Sequence, residues 1–423
     1  MILLSCPTSS ILQSAAPETQ LIVALARAAV GDLDAPAIRQ RMSSNVDEAL
    51  LLQQALRHKV VPMVHHQLRG DRGAFLSATT RDALAQHYHR QFRDSLQIRA
   101  ELPRLLDRFQ ARDIEALAFK GPALSAFAYP DENLRTFTDT DLLVPHGDVE
   151  ASINLLQALG FREKNPMPDR YDTHWSTYYP WQHPHANANG YVRAEGEEGE
   201  LHVDLHWGLA SRYFQFPMDP SGLWARSVSV ELDTGAVVPT FSPEDTLLIQ
   251  CMHTAKDTDA TLRHVCDMAA VIRAHPTLDW KSVLERAEHV GCTRMVLVGV
   301  YLAHRLLNAA LPDPVGAALP SAPHVPSLAG RIMRRLMDPS PAAPQLWHSW
   351  AIHLRLRDQW TDALGTLMYT TQLALQPTAA DRDWVPMPDR LDGLYYLVRP
   401  VRKLYETLTG SSSAARSNGP PSR

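Results

Sequence analysis

The stretch from Phe119 to Val144 restricts the possible folds more than any other part of the chain. It ends in the run TDTDLLV, in which Asp139 and Asp141 lead into three apolar residues, a pattern typical of a short strand. Side chains two residues apart on a strand point to the same face, so the two carboxylates lie side by side. Such a pair repels itself unless a cation lies between its members, and oxygen ligands favour a hard divalent ion such as Mg²⁺.

The segments around this pair predict a small sheet. Upstream, Ile114–Phe119 is typical of a buried strand, which turns at Lys120 and Gly121 into a short helix of small residues. Downstream, the alternating run Leu201–Trp207 predicts another strand, with Asp204 between two apolar neighbours. A carboxylate inside an apolar strand is costly if it is unpaired, so we expect a compensating group beside Asp204.

Other polar residues are interpreted as structural. The Asp-x-Asp pairs at residues 257–259 and 381–383 have no apolar strand beside them and are interpreted as surface charge. His206 and Trp207, directly after Asp204, are interpreted as packing residues. The helical pattern that follows the predicted sheet carries four polar residues for which pairing between helices is favoured over contact with phosphate: His253, Lys256, Arg263 and Asp267.

One aromatic segment keeps two interpretations. Residues 163–200 are rich in Pro, His, Asn and aromatic residues, and a weakly structured segment of that length inside a domain is usually functional or disordered. Its aromatic side chains either frame a base or an acceptor substrate, or they pack on the core as part of a hairpin. The four residues concerned are Trp175, Tyr178, Tyr179 and Trp181.

The length of 423 residues predicts more than one domain, since single cores rarely grow so large. Helical patterns before and after the predicted sheet suggest a helical domain over 1–111, a core over 112–235, a second helical domain over 236–409 and a disordered tail over 410–423. Within these, Pro103 is expected to kink or divide a long helix, and residues 311–326 are expected to form a Pro-rich linker.

The composition limits which partners and which cellular compartment we expect. A net charge of −5 gives no general attraction to nucleic acid, so a long polynucleotide partner is not favoured. No apolar run reaches the roughly 20 residues of a membrane span. The four cysteines show no zinc spacing, and Cys251 and Cys266 lie in apolar helical patterns, where we expect buried free thiols. We therefore expect a cytoplasmic protein that does not enter the membrane.

The order of these features resembles the nucleotidyltransferase superfamily that includes DNA polymerase β, and more closely a bacterial family of uncharacterised nucleotidyltransferases. The segments that carry the resemblance are FKGPAL, TDTDLLV and VDLHWGL, with FSPEDTLLIQCMH and DRLDGLYYLVRPVR further on. It extends over about residues 17 to 405. One position departs from the wider superfamily, because Gly121 is followed by Pro122, which has no N–H to offer a phosphate.

The resemblance implies a helix-rich α+β fold, in which a polymerase β-like core with a mixed sheet is flanked by helical domains. It implies three metal-binding and catalytic carboxylates, Asp139, Asp141 and Asp204, which hold Mg²⁺ or Mn²⁺. Nucleotide contacts are then expected from the turn at Lys120 and Gly121 and from Arg135.

The expected activity is transfer of a nucleoside monophosphate from ATP or another NTP to a hydroxyl group of a small molecule, a peptide or a protein. Two metal ions would lower the barrier by neutralising phosphate charge and activating the hydroxyl. The alternative, motivated by Pro122 and the extensive helical flanks, is a nucleotide-binding or scaffold protein of the same fold without turnover.

Overall fold

A computed structural model describes residues 8–31, 38, 46–164, 188–194, 200–209, 220–256, 261–340, 352, 354–375, 377 and 379–409. The chain divides into two compact units, Met1–Trp360 and Thr361–Arg423. The first unit contains the sheet that the sequence predicts, and it is helix-rich, as expected for an α+β core of this type.

In the described part of the chain, five α-helices precede the sheet, and local chemistry sets where several of them begin. Pro17 occupies the first turn of the second helix, where its missing N–H has no helical acceptor to lose. The side chains of Asp47 and Ser77 accept backbone N–H bonds from the first turns of the third and fifth helices. The fifth helix continues through Pro103 and is not divided there. The bounds are α1 Thr8–Gln13, α2 Pro17–Ala29, α3 Glu48–Arg57, α4 Val61–Gln67 and α5 Ala78–Gln110.

The central sheet has five strands in the order β1-β2-β5-β4-β3. Strands β2 and β5 run parallel, and the other neighbours are antiparallel, so the sheet is mixed as predicted. The strands are β1 Leu117–Phe119, β2 Thr140–Leu143, β3 Arg162–Glu163, β4 Ala188–Ala194 and β5 Glu200–His206. Among the residues that the structure describes, two α-helices lie between strands of this sheet in sequence, α6 Gly121–Ala128 and α7 Val149–Ala158.

The two faces of the sheet belong to different apolar clusters because strand side chains alternate. Leu142 and Leu205 point to the face that packs on α5 and α7. Leu143 and Phe119 point to the opposite face, where they join Phe241 in a smaller cluster. Asp141 and Asp204 have the same parity as this second set, so the acidic side chains share the face that carries less apolar packing.

After the central sheet, the described part of the first unit continues with a short helix, a β-hairpin and six further α-helices. The bounds are α8 Pro220–Ala225, β6 Val228–Glu231, β7 Val237–Thr240, α9 Pro243–Lys256, α10 Leu262–Ala274, α11 Trp280–His289, α12 Thr293–Leu307, α13 Asp313–Ala318 and α14 Val325–Met337. Helix α13 lies where a linker was expected over 311–326, so that prediction was wrong. Val315 of α13 is fully buried, which gives this short segment an apolar contact to the core.

The helices on either side of the sheet in sequence share one large apolar core. Leu25 of α2 and Val64 of α4 lie in the same cluster as Val265 of α10 and Leu302 of α12. The predicted burial of Cys251 and Cys266 is confirmed, because both are buried and free, and Cys292 is as well. The sheet therefore rests on a helical body to which both flanks contribute.

The second unit contains α15 Trp360–Leu375, α16 Ala379–Trp384 and α17 Tyr395–Thr409. Its Asp381 is fully buried and accepts hydrogen bonds from Arg402 Nε at 2.6 Å and Arg399 Nη1 at 3.3 Å. The interpretation of this aspartate as surface charge was therefore wrong, while the pair at 257–259 falls outside the described residues. Across the ranges that the structure covers, none of the helices is both long and apolar enough to span a bilayer.

A buried histidine links the N-terminal helices to α10. His58 follows α3, is 1% exposed, and its Nδ1 accepts the backbone N–H of Leu262 at 3.3 Å. Its carbonyl oxygen accepts the N–H of Arg263. Burial, with a smaller contribution from the charge of Arg57, lowers the pKa of His58 from 6.5 to about 4.

This histidine should make the protein sensitive to acid. The unfolded chain takes up the proton near pH 6.5 and the folded protein only near pH 4, so stability falls as the pH drops through that window. Between pH 7 and pH 5 the loss due to His58 is about 2 kcal/mol. The side-chain oxygen of Asn in His58→Asn can still accept the N–H of Leu262. Between pH 7 and pH 5, the free energy of unfolding of this variant, measured with urea, should therefore fall by about 2 kcal/mol less than that of the wild type. An equal pH dependence in both proteins would contradict this assignment.

Candidate functional site

The parallel pairing of β2 and β5 sets the geometry of the candidate site. Asp141 lies directly opposite Asp204 in the register of the two strands, and Leu143 lies opposite His206. One ligand atom each from Asp141, Asp204 and His206 lies within 4.8 Å of the other two. Two of the three predicted carboxylates therefore converge, and a histidine joins them.

Asp139 occupies a different position from the other two aspartates. It directly precedes β2 and is half-buried, and it is not a member of the three-residue group. Its negative charge nevertheless contributes to a raised pKa at Asp204, so the two carboxylates interact electrostatically. Asp139 thus lies at the edge of the acidic site.

Two basic side chains compensate the charge of Asp141, which is 6% exposed. Lys120 Nζ lies 3.4 Å and His206 Nε2 lies 3.1 Å from the same oxygen, Oδ1. Burial alone would raise the pKa of this carboxyl, but Lys120 and His206 together hold it well below its usual range. Asp141 is therefore ionised at neutral pH.

Asp204 has the opposite electrostatic environment. Burial, followed by the negative charges of Asp141 and Asp139, raises the pKa of its carboxyl group. The strand on its other side offers Gly190, and a Cβ at that position would lie 3.1 Å from Asp204 Oδ1 and 3.4 Å from Lys164 Cδ. A larger residue at Gly190 would therefore press on the carboxylate, so the glycine maintains the space that Asp204 occupies.

The turn between β1 and α6 is strained and brings Lys120 to the acids. Lys120 has φ 60° and ψ −152°, a region that residues other than glycine rarely adopt, at a cost of about 1–3 kcal/mol. Gly121 follows with φ 43°, and a Cβ there would lie 3.3 Å from the carbonyl oxygen of Asp139. The predicted Lys-Gly turn therefore lies against the predicted Asp-x-Asp segment.

Arg135 lies behind this turn and is 5% exposed. It donates from Nε to Asp267 Oδ1 at 2.8 Å, from Nη2 to Asp267 Oδ2 at 3.2 Å and from Nη1 to the carbonyl oxygen of Gly121 at 3.3 Å. Tyr129 donates its hydroxyl to Asp267 at 2.6 Å. Burial disfavours the charged forms of both Arg135 and Asp267. Each charge stabilises the other more strongly than burial opposes it, so the pKa of Asp267 is lowered and that of Arg135 is raised.

Two of the four polar residues singled out on α9 and α10, Asp267 and Arg263, bond to the segment that precedes β2. Asp267 pairs with Arg135 across the interface of α10 with the turn, as described above. Arg263 donates to the carbonyl oxygen of Thr136 at 3.4 Å. The charge of His253 contributes to the lowered pKa of Asp141. The side chain of Lys256 and the aromatic segment at 165–187 lie outside the described residues.

The donor set fits a divalent metal ion. Two carboxylates and an imidazole are groups that such ions take in proteins, and they converge on the sheet face that carries less apolar packing. Lys120 Nζ already supplies one positive charge beside Asp141. His206 was missed as a site residue, although its spacing of two from Asp204 on an alternating strand is a signal that places both on one face.

Comparison with known proteins agrees with this geometry. A family model described as uncharacterised nucleotidyltransferase matches residues 44–308, which is more than half of the chain. The match includes the turn, β2, β5 and helices α9 to α12, and therefore all the side chains of the acidic site. No curated protein matches the chain. The protein belongs to the uncharacterised nucleotidyltransferase family.

Proposed function

We propose that this protein is a metal-dependent nucleotidyltransferase, which moves a nucleoside monophosphate from an NTP to a hydroxyl group of a small molecule, a peptide or a protein. The observation that carries the proposal is the register of β2 with β5, which sets Asp141 opposite Asp204 beside the Lys120–Gly121 turn. Membership of the family supports the reaction class.

In the proposed reaction, the acceptor oxygen forms a bond to the α-phosphorus and its proton leaves. The bond between the α-phosphorus and the bridging oxygen breaks, and pyrophosphate departs with that electron pair. Bound Mg²⁺ or Mn²⁺ would neutralise charge on the phosphate oxygens and favour ionisation of the acceptor hydroxyl. Asp139 and Asp141 would hold two such ions between them, and Asp204 would hold the one on the acceptor side.

Asp204 is also the proposed proton acceptor. A carboxylate with a raised pKa takes a proton more readily than an ordinary aspartate, and the environment of Asp204 raises its pKa. Asp141 is the weaker base of the two, because Lys120 and His206 lower its pKa. The two opposed carboxylates are thus suited to different tasks, a fixed negative charge and a proton acceptor.

The turn supplies the proposed contacts to the triphosphate. Lys120 would bind a phosphate oxygen as a compact positive charge, and Gly121 lets the backbone approach the phosphates. Arg135 was expected to bind a phosphate oxygen directly, but its donors are directed to Asp267 and to the carbonyl of Gly121. We assign it instead to support of the turn, so that its effect on the nucleotide passes through Gly121.

The alternative function is nucleotide binding without turnover. Pro122 favours it, because the first turn of α6 lacks one N–H that would otherwise be directed at a phosphate. Calorimetry with each NTP, together with an assay for pyrophosphate, separates the two functions. Binding without pyrophosphate release in the presence of cell extract as a source of acceptors would favour the alternative.

Isotope position should identify the reaction class. With untagged protein, Mg²⁺ or Mn²⁺ and a cell extract as the acceptor source, NTPs labelled at the α-phosphate should transfer label to an acceptor. The same NTPs labelled at the γ-phosphate should release labelled pyrophosphate and label no acceptor beyond the level seen with the extract alone, because the bond broken is the one beyond the α-phosphorus. Transfer of the γ-label above that level would contradict nucleotidyl transfer and indicate a kinase.

Asp141→Asn and Asp139→Asn should each abolish metal-dependent turnover. Loss of a metal-binding carboxylate removes several kcal/mol of stabilisation of the transition state, so we expect a decrease in kcat/KM of about a thousandfold. Glu150→Gln, an exposed carboxylate on α7, is the matched control and should retain full activity. Thermal unfolding of all three variants checks the fold. Full activity in either aspartate variant would refute the assignment.

A further inference from the structure

The histidine at the end of β5 is directed at the two converging carboxylates. His206 Nε2 lies 3.1 Å from Asp141 Oδ1, and it belongs to the group whose ligand atoms all lie within 4.8 Å of one another. Asp139, the third carboxylate of the proposed function, is not in that group. The third member of this close group is therefore a nitrogen donor.

Packing fixes the orientation of this ring. Phe119 lies opposite Asp141 in the register of β1 with β2, and its ring meets that of His206 edge to face, with centroids 4.9 Å apart and planes at 74°. His206 is 8% exposed, and its Nδ1 is buried without a hydrogen-bond partner among the residues that the structure describes. The ring is thus held by the sheet and by Phe119 with Nε2 towards the acids.

The spacing suits coordination to one ion. In a six-coordinate site with ligand distances of about 2.1–2.2 Å, adjacent ligand atoms are about 3.0–3.1 Å apart. The separation of 3.1 Å between Asp141 Oδ1 and His206 Nε2 matches two adjacent positions of such a site. A hydrogen bond between the two side chains has the same length, and spectroscopy of the bound ion separates coordination from hydrogen bonding.

We propose that His206 is a metal ligand through Nε2, and that the centre therefore selects a first-row transition ion such as Mn²⁺ over Mg²⁺. This inference rests on the metal-dependent centre of the proposed function and specifies its donor set. Mg²⁺ takes oxygen ligands almost exclusively, whereas imidazole nitrogen is a good ligand for first-row transition ions. Asp141 and Asp204 each offer such a site an oxygen donor, and His206 offers it a nitrogen donor.

Pulsed electron paramagnetic resonance of bound Mn²⁺ tests this directly. The untagged full chain with one equivalent of Mn²⁺ should show modulation from a coordinated ¹⁴N nucleus. The modulation should disappear in His206→Gln. It should persist in His202→Gln, a matched control two residues before Asp204 on the same face of β5, and in His253→Gln, because His253 of α9 also influences Asp141.

Metal selectivity provides a second measurement that does not require the glutamine variant to fold. In calorimetric titrations the wild type should bind Mn²⁺ at least about tenfold more tightly than Mg²⁺. His206→Asp, which replaces the imidazole by a carboxylate, should still bind both ions, with the ratio of the two dissociation constants reduced towards one. Thermal unfolding confirms that the variants are folded.

Several results would overturn the inference. These are absence of Mn²⁺ binding, absence of ¹⁴N modulation in the wild type, modulation that survives in folded His206→Gln, or a Mn²⁺ preference that survives in His206→Asp. Failure of the proposed function is distinguishable from these. If ¹⁴N is coordinated but no α-phosphate label is transferred, His206 stands as a metal ligand and the proposed reaction is refuted. If α-phosphate label is transferred but no ¹⁴N is coordinated, the reaction stands and His206 is not a ligand.

Discussion

The repulsion between two carboxylates on adjacent strands is the constraint to which the rest of the site responds. Parallel pairing of β2 with β5 leaves Asp141 and Asp204 no lateral freedom, because each is fixed by backbone hydrogen bonds opposite the other. Burial increases the repulsion, since a low dielectric strengthens interactions between charges. Lys120 and His206 offset the charge of Asp141, and Asp204 responds by a raised pKa. A divalent cation would neutralise both carboxylates from one position.

The helical body holds the components of this site in place from behind. Arg135 connects the carbonyl of Gly121 to Asp267 of α10, so a buried ion pair fixes the strained turn that carries Lys120. Breaking a buried pair on one side leaves an uncompensated charge, which is strongly destabilising. Rigid support of this kind keeps Lys120 near Asp141 despite its unfavourable backbone angles. The Arg135–Asp267 ion pair therefore stabilises the strained backbone at Lys120 through the carbonyl of Gly121.

Much of the site could be predicted from local periodicity, because the strands that carry it have clear patterns. Alternation around Asp204 predicted β5, which spans Glu200–His206, and the apolar run after Asp141 predicted β2. The two-residue spacing that paired Asp139 with Asp141 was less informative, because β2 begins at Thr140 and Asp139 is not in the converging group. Alternation applied to His206 would have placed it on the same face as Asp204. Its apolar neighbours in sequence instead suggested a packing residue. The ring packs against Phe119 and also contacts the carboxylate of Asp141.

The remaining features depend on contacts between distant parts of the chain. Arg135 and Asp267 are 132 residues apart, and no local pattern pairs them. The burial of Asp381 depends on two arginines of α17, and its polar neighbours in sequence gave no indication of this. Helix α13 forms in a Pro-rich segment because Val315 reaches the core. In each case a long-range contact outweighs the local composition.

The most direct test of the central claim is anomalous diffraction from crystals of the full chain soaked in Mn²⁺. We expect a strong anomalous peak between the carboxylates of Asp141 and Asp204, at about 2.2 Å from an oxygen of each, with Lys120 Nζ displaced from Asp141. Crystals without a peak at that position, in which Lys120 still contacts Asp141, would contradict the proposal that these opposed acids form a metal centre.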